Sequence, residues 1–163
     1  MTIKEQNNFN NIRTISLFSG AGGLDIGAIK AGAHVVFAND MMKEACLTYK
    51  ENIGDHIIQG DINTLFDEIG KVDNPDLVIG GPPCQAYSLV GRARDPESMK
   101  KDPRNFLYKY YLQFLKRYEP KMFVFENVPG ILSAKNGIHL ENIKKGIDKA
   151  GYEIELKKLK ASD

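Results

Sequence analysis

"RTISLFSGAGGLDIGAIKAG", residues 13–32, changes character twice within a short span. Its first part, "RTISLF" (13–18), is an apolar, β-branched run of strand type. Glycines follow at once, and "LDIGAIKAG" (24–32) reads as a short helix closed by Gly32. A strand that turns through glycines into a helix is the opening unit of an α/β fold.

The same alternation continues outward from this unit. "HVVFAND" (34–40) predicts a second strand, and "KEACLTYKENI" (43–53) a helix. "HIIQGDI" (56–62) predicts a third strand with its turn, and "PDLVIGG" (75–81) a fourth. An aromatic, amphipathic helix is expected over 104–118, and a fifth strand in "KMFVFENV" (121–128). "IHLENIKKGIDKAG" (138–151) reads as a helix and "YEIELKKLK" (152–160) as a sixth strand. Apolar strands separated by helices predict a mainly parallel sheet with helices on both faces. Ligands of such sheets sit beyond the carboxyl ends of the strands. The unusual clusters "FSGAGG", "AND", "GDI", "GGPPCQ" and "ENVPG" all fall at such ends.

Composition narrows the class. The chain has 163 residues, 42% hydrophobic and 26% charged, which suits one globular domain. A net charge of +1 announces no global attraction to nucleic acid. The two cysteines, Cys46 and Cys84, form no C-x-x-C pair, and with three scattered histidines no metal-site spacing arises. The segment 1–12 is expected to be a loose polar leader without the apolar core of a signal peptide. Apolar runs such as "HVVFA" are far too short to span a membrane. The expectation is a soluble, cytoplasmic protein.

The glycine turn admits two readings, a tight turn alone or the close approach of backbone to a ligand. Asp40 ends the second strand 20 residues after Gly20, where a carboxylate suits a ribose hydroxyl pair. The dinucleotide fingerprint is not met, because Asp25 occupies its third glycine position. A carboxylate there repels a pyrophosphate, which disfavours a nicotinamide oxidoreductase and suits a nucleoside cofactor without phosphates. Asp61 at the third strand end suits an adenine amino group, or else caps the next helix.

Pro82 and Pro83 fix the backbone and end the fourth strand, so Cys84 is presented on a stiff turn. Those flanks favour a nucleophile, and only a thiolate attacks. Cys46, on the core face of its helix, reads as a small buried hydrophobe. Glu126 ends the fifth strand and is expected near Cys84. Burial there would raise its pKa and make it a hydrogen-bond donor or acid; the alternative is a Glu bonded to local amides.

Taken together, "FSGAGGLDIG", "GDI", "GGPPCQAYS", "DPRNFLYKYYLQFLKRYEPKMFVFENV" and the terminal "LKASD" resemble the C5-cytosine DNA methyltransferases, from residue 13 to the end. The resemblance implies a Rossmann-like fold dependent on S-adenosylmethionine, incomplete at its C-terminal side. Residues 13–163 then form the N-terminal part of the catalytic domain. By position Cys84 matches the nucleophile that adds to C6 of a flipped-out cytosine. Glu126 matches the carboxyl group that bonds cytosine N3 and its exocyclic amine. Phe18, Gly20, Gly23 and Leu24 match the cofactor loop, and Asp40 and Met41 the ribose and adenine contacts. Asp61 and Ile62 match the adenine edge, while Gly81, Pro83 and Leu107 line the same pocket. The family more often has glutamate at Asp40, so the shorter side chain needs a closer ribose or a water bridge.

Residues 92–121 hold nine Lys/Arg against four Asp/Glu. This reads as a basic lid over DNA phosphates, or as a solvated charge run. Relatives in the resembled family continue into an arginine segment, a target-recognition domain and a closing stretch that inserts a strand between the fifth and sixth. None follows "ASD" here. The expected function is DNA cytosine-5 methylation of duplex DNA within a restriction–modification system, with a second polypeptide supplying those parts. The alternatives are an inactive fragment that only binds cofactor or a partner and, more remotely, an RNA cytosine-5 methyltransferase.

Overall fold

The computed structural model describes residues 12–66, 72, 74–83, 106–132 and 137–160. Five strands form one parallel sheet: β1 (Ile12–Leu17), β2 (Ala33–Asp40), β3 (Ile57–Gln59), β4 (Leu77–Gly80) and β5 (Met122–Phe125). Their order is β3-β2-β1-β4-β5. The chain winds outward from β1 to β3 and then returns to lay β4 on the other side of β1. That reversal makes the gap beyond the ends of β1 and β4 the topological switch point, where ligands of α/β sheets bind.

The helices are α1 (Gly23–Lys30), α2 (Lys43–Asn52), α3 (Ile62–Leu65), α4 (Tyr108–Tyr118) and α5 (Ile138–Asp148). Among the described residues a 3-10 turn occupies Pro129–Leu132. α1 places Asp25 in its first turn and Lys30 in its last, both favourable to the helix dipole. The Asp61 side chain caps α3 by accepting from the Asn63 amide at 2.9 Å.

The chain divides into two compact units. One comprises residues up to Pro82 together with Gln113–Glu126, and the other Pro83–Leu112 and the residues from Asn127 onward. The first holds the sheet. β1 and β4 are apolar and buried because each has a strand on both sides: Ile15, Leu17, Val78 and Ile79 are all sealed from solvent. On α2, Cys46 and Tyr49 pack against Val35, Ala38 and Ile57, so Cys46 is the buried hydrophobe its helix position predicts. At the opposite end of the sheet from the glycine turn, Asp76 ties three strand starts together. Its carboxylate accepts from the Arg13 amide (3.1 Å) and the Lys121 ammonium (2.7 Å), and its carbonyl accepts from the Met122 amide (3.1 Å). Lys121 holds that carboxyl below its ordinary range. In the second unit Gly146 of α5 lies so close to Leu112 that a Cβ would collide with it.

One predicted element is not formed. Residues 152–160 carry no strand, and Leu156 and Leu159 are exposed. The alternating "YEIEL" has strand propensity, but a strand exists only through a ladder partner, and no described residue pairs with it.

Candidate functional site

A cavity of about 350 Å³ opens at the switch point. It is lined by the end of β1 and its loop (Ser16, Leu17, Phe18, Ser19), by Leu24 and Asp25 of α1, by Gly80 and Gly81 after β4, and by Glu126 after β5.

The loop after β1 is held in an uncommon conformation. Phe18 sits at φ 55°, a left-handed value that costs a non-glycine residue about 1–2 kcal/mol. Neighbouring bonds offset it. The Ser19 amide donates to the Asn39 carbonyl at 2.9 Å, and the Gly20 amide donates to Asp40 Oδ2 at 2.8 Å. Asp40 Oδ1 accepts from the Met42 amide, also at 2.8 Å. The spacing between Gly20 and Asp40 is thus a direct contact: the carboxylate clamps the glycine loop to the end of β2.

The glycines divide by role. Gly20 needs its left-handed φ of 56°, while a Cβ on Gly23 would meet nothing within 4 Å. Gly22 is the constrained position. At φ 91° a Cβ there would run into Ile53 and come within 2.9 Å of Tyr49 Cδ2. Gly22, which the motif reading passed over, is what lets the loop lie against α2. Gly81 plays the matching part across the cavity. A Cβ on it would lie 2.7 Å from Glu126 Oε2, so the missing side chain is what admits that carboxylate over the backbone. The Glu126 amide is anchored to the Gly80 carbonyl at 2.9 Å.

Glu126 itself is exposed. The reason is its place after β5, which in the described sheet has a neighbouring strand on one side only. Asp61 is engaged as a helix cap, the second of the two readings open for it; Oδ1 takes both the amide and the side-chain nitrogen of Asn63. Ile62 is buried and Met41 exposed. Pro83 and Leu107 belong to the second unit. Cys84 and most of the basic stretch 92–121 lie outside the described residues.

Sequence reasoning took Asp25 only as a charge that repels phosphate, yet it is the centre of the site's polar structure. It is fully buried and accepts from Ser16 Oγ (2.9 Å) and Tyr49 OH (2.8 Å). Tyr49 OH is 3.0 Å from His56 Nε2, and the two rings meet edge to face. Burial pushes the Asp25 carboxyl up, with the Tyr49 and Ser16 bonds pulling it back; burial pushes the Tyr49 phenol up and the His56 imidazole down. No periodicity links these positions, so only the fold reveals them.

The donor set discriminates between cofactors. The described lining carries two carboxylates and no lysine or arginine, with Asp40 next to it. A pyrophosphate would meet repulsion, whereas S-adenosylmethionine, a cation without phosphates, meets complementary charge. Among the described residues no group of three His, Cys, Asp or Glu is placed to hold a metal, and no helix is long and apolar enough to cross a membrane.

Comparison with known proteins points in one direction. The family model for C-5 cytosine-specific DNA methylases matches residues 12–163. The type II methyltransferase M.FnuDI of Fusobacterium nucleatum is 40% identical over 93% of this chain and 42% of its own length. M.NgoPII of Neisseria gonorrhoeae, also a type II methyltransferase, is 39% identical over 95% of this chain and 44% of its own. The chain thus spans about two fifths of the length of these curated relatives. Among solved structures, Schizosaccharomyces pombe Dnmt2 methyltransferase shares the fold at a TM-score of 0.59 and 24% identity, over 83% of this chain and 40% of that one. The Entamoeba histolytica methyltransferase EhMeth does so at 0.62 and 23%, over 85% and 44%.

Proposed function

The chain belongs to the C-5 cytosine-specific DNA methylase family, and on that premise we propose that it carries the methyl-donor cavity and the nucleophile of a DNA (cytosine-5-)-methyltransferase. The observation that carries the reading is the cation-free, carboxylate-lined cavity at the β1–β4 switch point. Phe18, Gly20, Gly23, Leu24, Asp40, Met41, Asp61, Ile62, Gly81, Pro83 and Leu107 hold S-adenosylmethionine, which when bound supplies an electrophilic methyl carbon. Cys84 adds as thiolate to C6 of a cytosine turned out of duplex DNA, forming an S–C bond and raising electron density at C5. Glu126 bonds N3 and the exocyclic amine and stabilises charge that develops on the ring. Once C5 carries the transferred methyl group, loss of the C5 proton and expulsion of Cys84 as thiolate restore the aromatic ring.

The working enzyme includes a second polypeptide that supplies target recognition and the cytosine-binding arginine. One observation supports this: Met122 and Val124 of β5 expose apolar surface beside Glu126. The basic stretch 92–121 contributes salt-sensitive contacts to DNA phosphates. The setting is a cytoplasmic restriction–modification system. The second reading is a fragment that binds cofactor or a partner without turnover.

Tritiated methyl transfer to duplex DNA separates these. The chain alone gives background counts, and adding a polypeptide with the C-terminal parts restores turnover that Cys84→Ala abolishes. Sequence-specific turnover by the chain alone would remove the need for a partner. A complemented enzyme that forms no covalent adduct with 5-fluorocytosine DNA would remove Cys84 as nucleophile.

A further inference from the structure

Two chains of hydrogen bonds end on one buried carboxylate. In the first, the Asn39 amide donates to Ser19 Oγ (3.3 Å), Ser19 Oγ to Ser16 Oγ (2.9 Å), and Ser16 Oγ to Asp25 Oδ2 (2.9 Å). In the second, Tyr49 OH donates to Asp25 Oδ1 (2.8 Å) and meets His56 Nε2 at 3.0 Å. A phenol has one proton, and Tyr49 gives it to Asp25. His56 must therefore donate through Nε2–H. Ser19 Oγ also lies 3.2 Å from the Ser16 carbonyl, so its one proton has two acceptors; at the end of the two chains each carboxylate oxygen of Asp25 receives a donor. An ionised carboxylate accepts in this way on both oxygens.

Packing does not explain the charge. Hydroxyl and phenol donors are equally satisfied by a neutral acceptor, and a buried anion carries a desolvation penalty unless something opposite in sign stands near it. Among the described residues Asp25 is met by hydroxyls, by its own amide in the first turn of α1, and by His56, which acts on it through Tyr49 and which burial pushes toward its neutral form; no lysine or arginine contacts it, and the described lining of the cavity has neither. These partners supply partial positive charge, and a cationic group in the cavity that Asp25 lines would supply a full one.

The sheet order says which part of the ligand that is. Three carboxylates stand at successive strand ends: Asp61 after β3, Asp40 after β2, and Asp25 behind the end of β1. With adenine at the first and ribose at the second, the amino-acid tail of the methyl donor lies over β1 and β4, where the cavity is. We propose that Asp25 is the counter-charge for the ammonium group of that tail, held in place by Ser16 and Tyr49 as positioning residues; the assignment rests on the methyl-donor reading above.

The test is calorimetry on the full 163-residue chain with two ligands, S-adenosylhomocysteine and its deaminated analogue, in which hydrogen replaces the ammonium group. Wild type favours the ammonium-bearing ligand by about tenfold or more, and in Asp25→Asn the preference falls to within about twofold, as a pairwise coupling requires. Tyr49→Phe keeps the charge and therefore most of the preference. If Asp25→Asn weakens both ligands equally, the residue is merely structural and the proposal falls. Absence of a preference in wild type overturns it without reference to any variant. Failure of wild type to bind either ligand removes the methyl-donor reading itself, and the counter-charge with it.

Discussion

β4 and β5 are neighbours of nearly equal character, "LVIG" and "MFVF", paired residue for residue from Leu77↔Met122 to Gly80↔Phe125. Their environments differ completely. Val78 and Ile79 of β4 are at most 1% exposed, whereas Met122 and Val124 of β5 are 55% and 42% exposed. β4 lies between β1 and β5, and β5 is the edge strand of the described sheet. A short apolar run therefore predicts a strand without predicting its depth. The consequence reaches the chemistry, because each strand delivers a cavity residue. The β1 side holds its carboxylate, Asp25, in a closed network; the β5 side leaves Glu126 exposed.

The sharpest way to break this contrast is to cut into β4. Ile79→Ala removes a buried side chain that nothing can replace and costs about 2–5 kcal/mol, read as a fall in urea midpoint at unchanged slope. Next comes the loop that β1 feeds. Gly22→Ala sets a Cβ against Tyr49 and Ile53 at a positive φ, for a loss of about 2–3 kcal/mol. Gly23→Ala, in the same motif but facing open space within the first turn of α1, leaves stability unchanged or raises it by about 0.5–1 kcal/mol. Equal losses at Gly22 and Gly23 would mean that the loop does not rest on α2.

These glycines show where sequence legibility stops. The strand–helix alternation, the parallel sheet and the positions of its carboxyl ends follow from local patterns, and all five strands fall where the apolar runs predict them. Cys46 is core because its helix face is apolar. The motif reading favoured Gly20 and Gly23 and missed Gly22, since nothing local says that Tyr49 and Ile53 pack against it. Asp25, Tyr49 and His56 meet only through the fold. The exposure of Glu126 and the strand expected over 152–160 depend on what lies beside them, which periodicity does not encode.

His56 gives a pH-dependent test of the buried side. Its folded pKa lies below the ordinary value, chiefly through burial; Asp25 and Asp55 favour its charge and His34 opposes it. The unfolded chain, with a pKa of about 6.5, then binds more protons than the folded one in the window beneath that value. Stability present above about pH 6.5 is lost as pH falls through the folded pKa, and levels off below it. Asp25, raised by burial, acts in the opposite sense and returns some stability as it protonates. Melting curves between pH 7.5 and 5 should therefore decline for wild type, decline less for His56→Gln, and decline more steeply for Asp25→Asn.

The smallest effect belongs to the exposed side. Val124 faces Ile79 across the ladder, yet Val124→Ala should cost only about 0.5–1 kcal/mol. A half-exposed valine already forgoes much of the transfer energy that burial confers, and the space left by its methyls fills with water rather than remaining as a cavity. What is lost is mainly the preference of a branched side chain for an extended backbone and part of its contact with β4. Because Val124 and Ile79 are paired, the double substitution should cost less than the two separately, since the second deletion removes contacts the first has already broken. A loss at Val124 as large as that at Ile79 would mean that the outer face of β5 is covered in solution. Repeating the melt at two protein concentrations decides that case: self-association would make the wild-type midpoint rise with concentration, and an edge strand that stands open to water would leave it fixed.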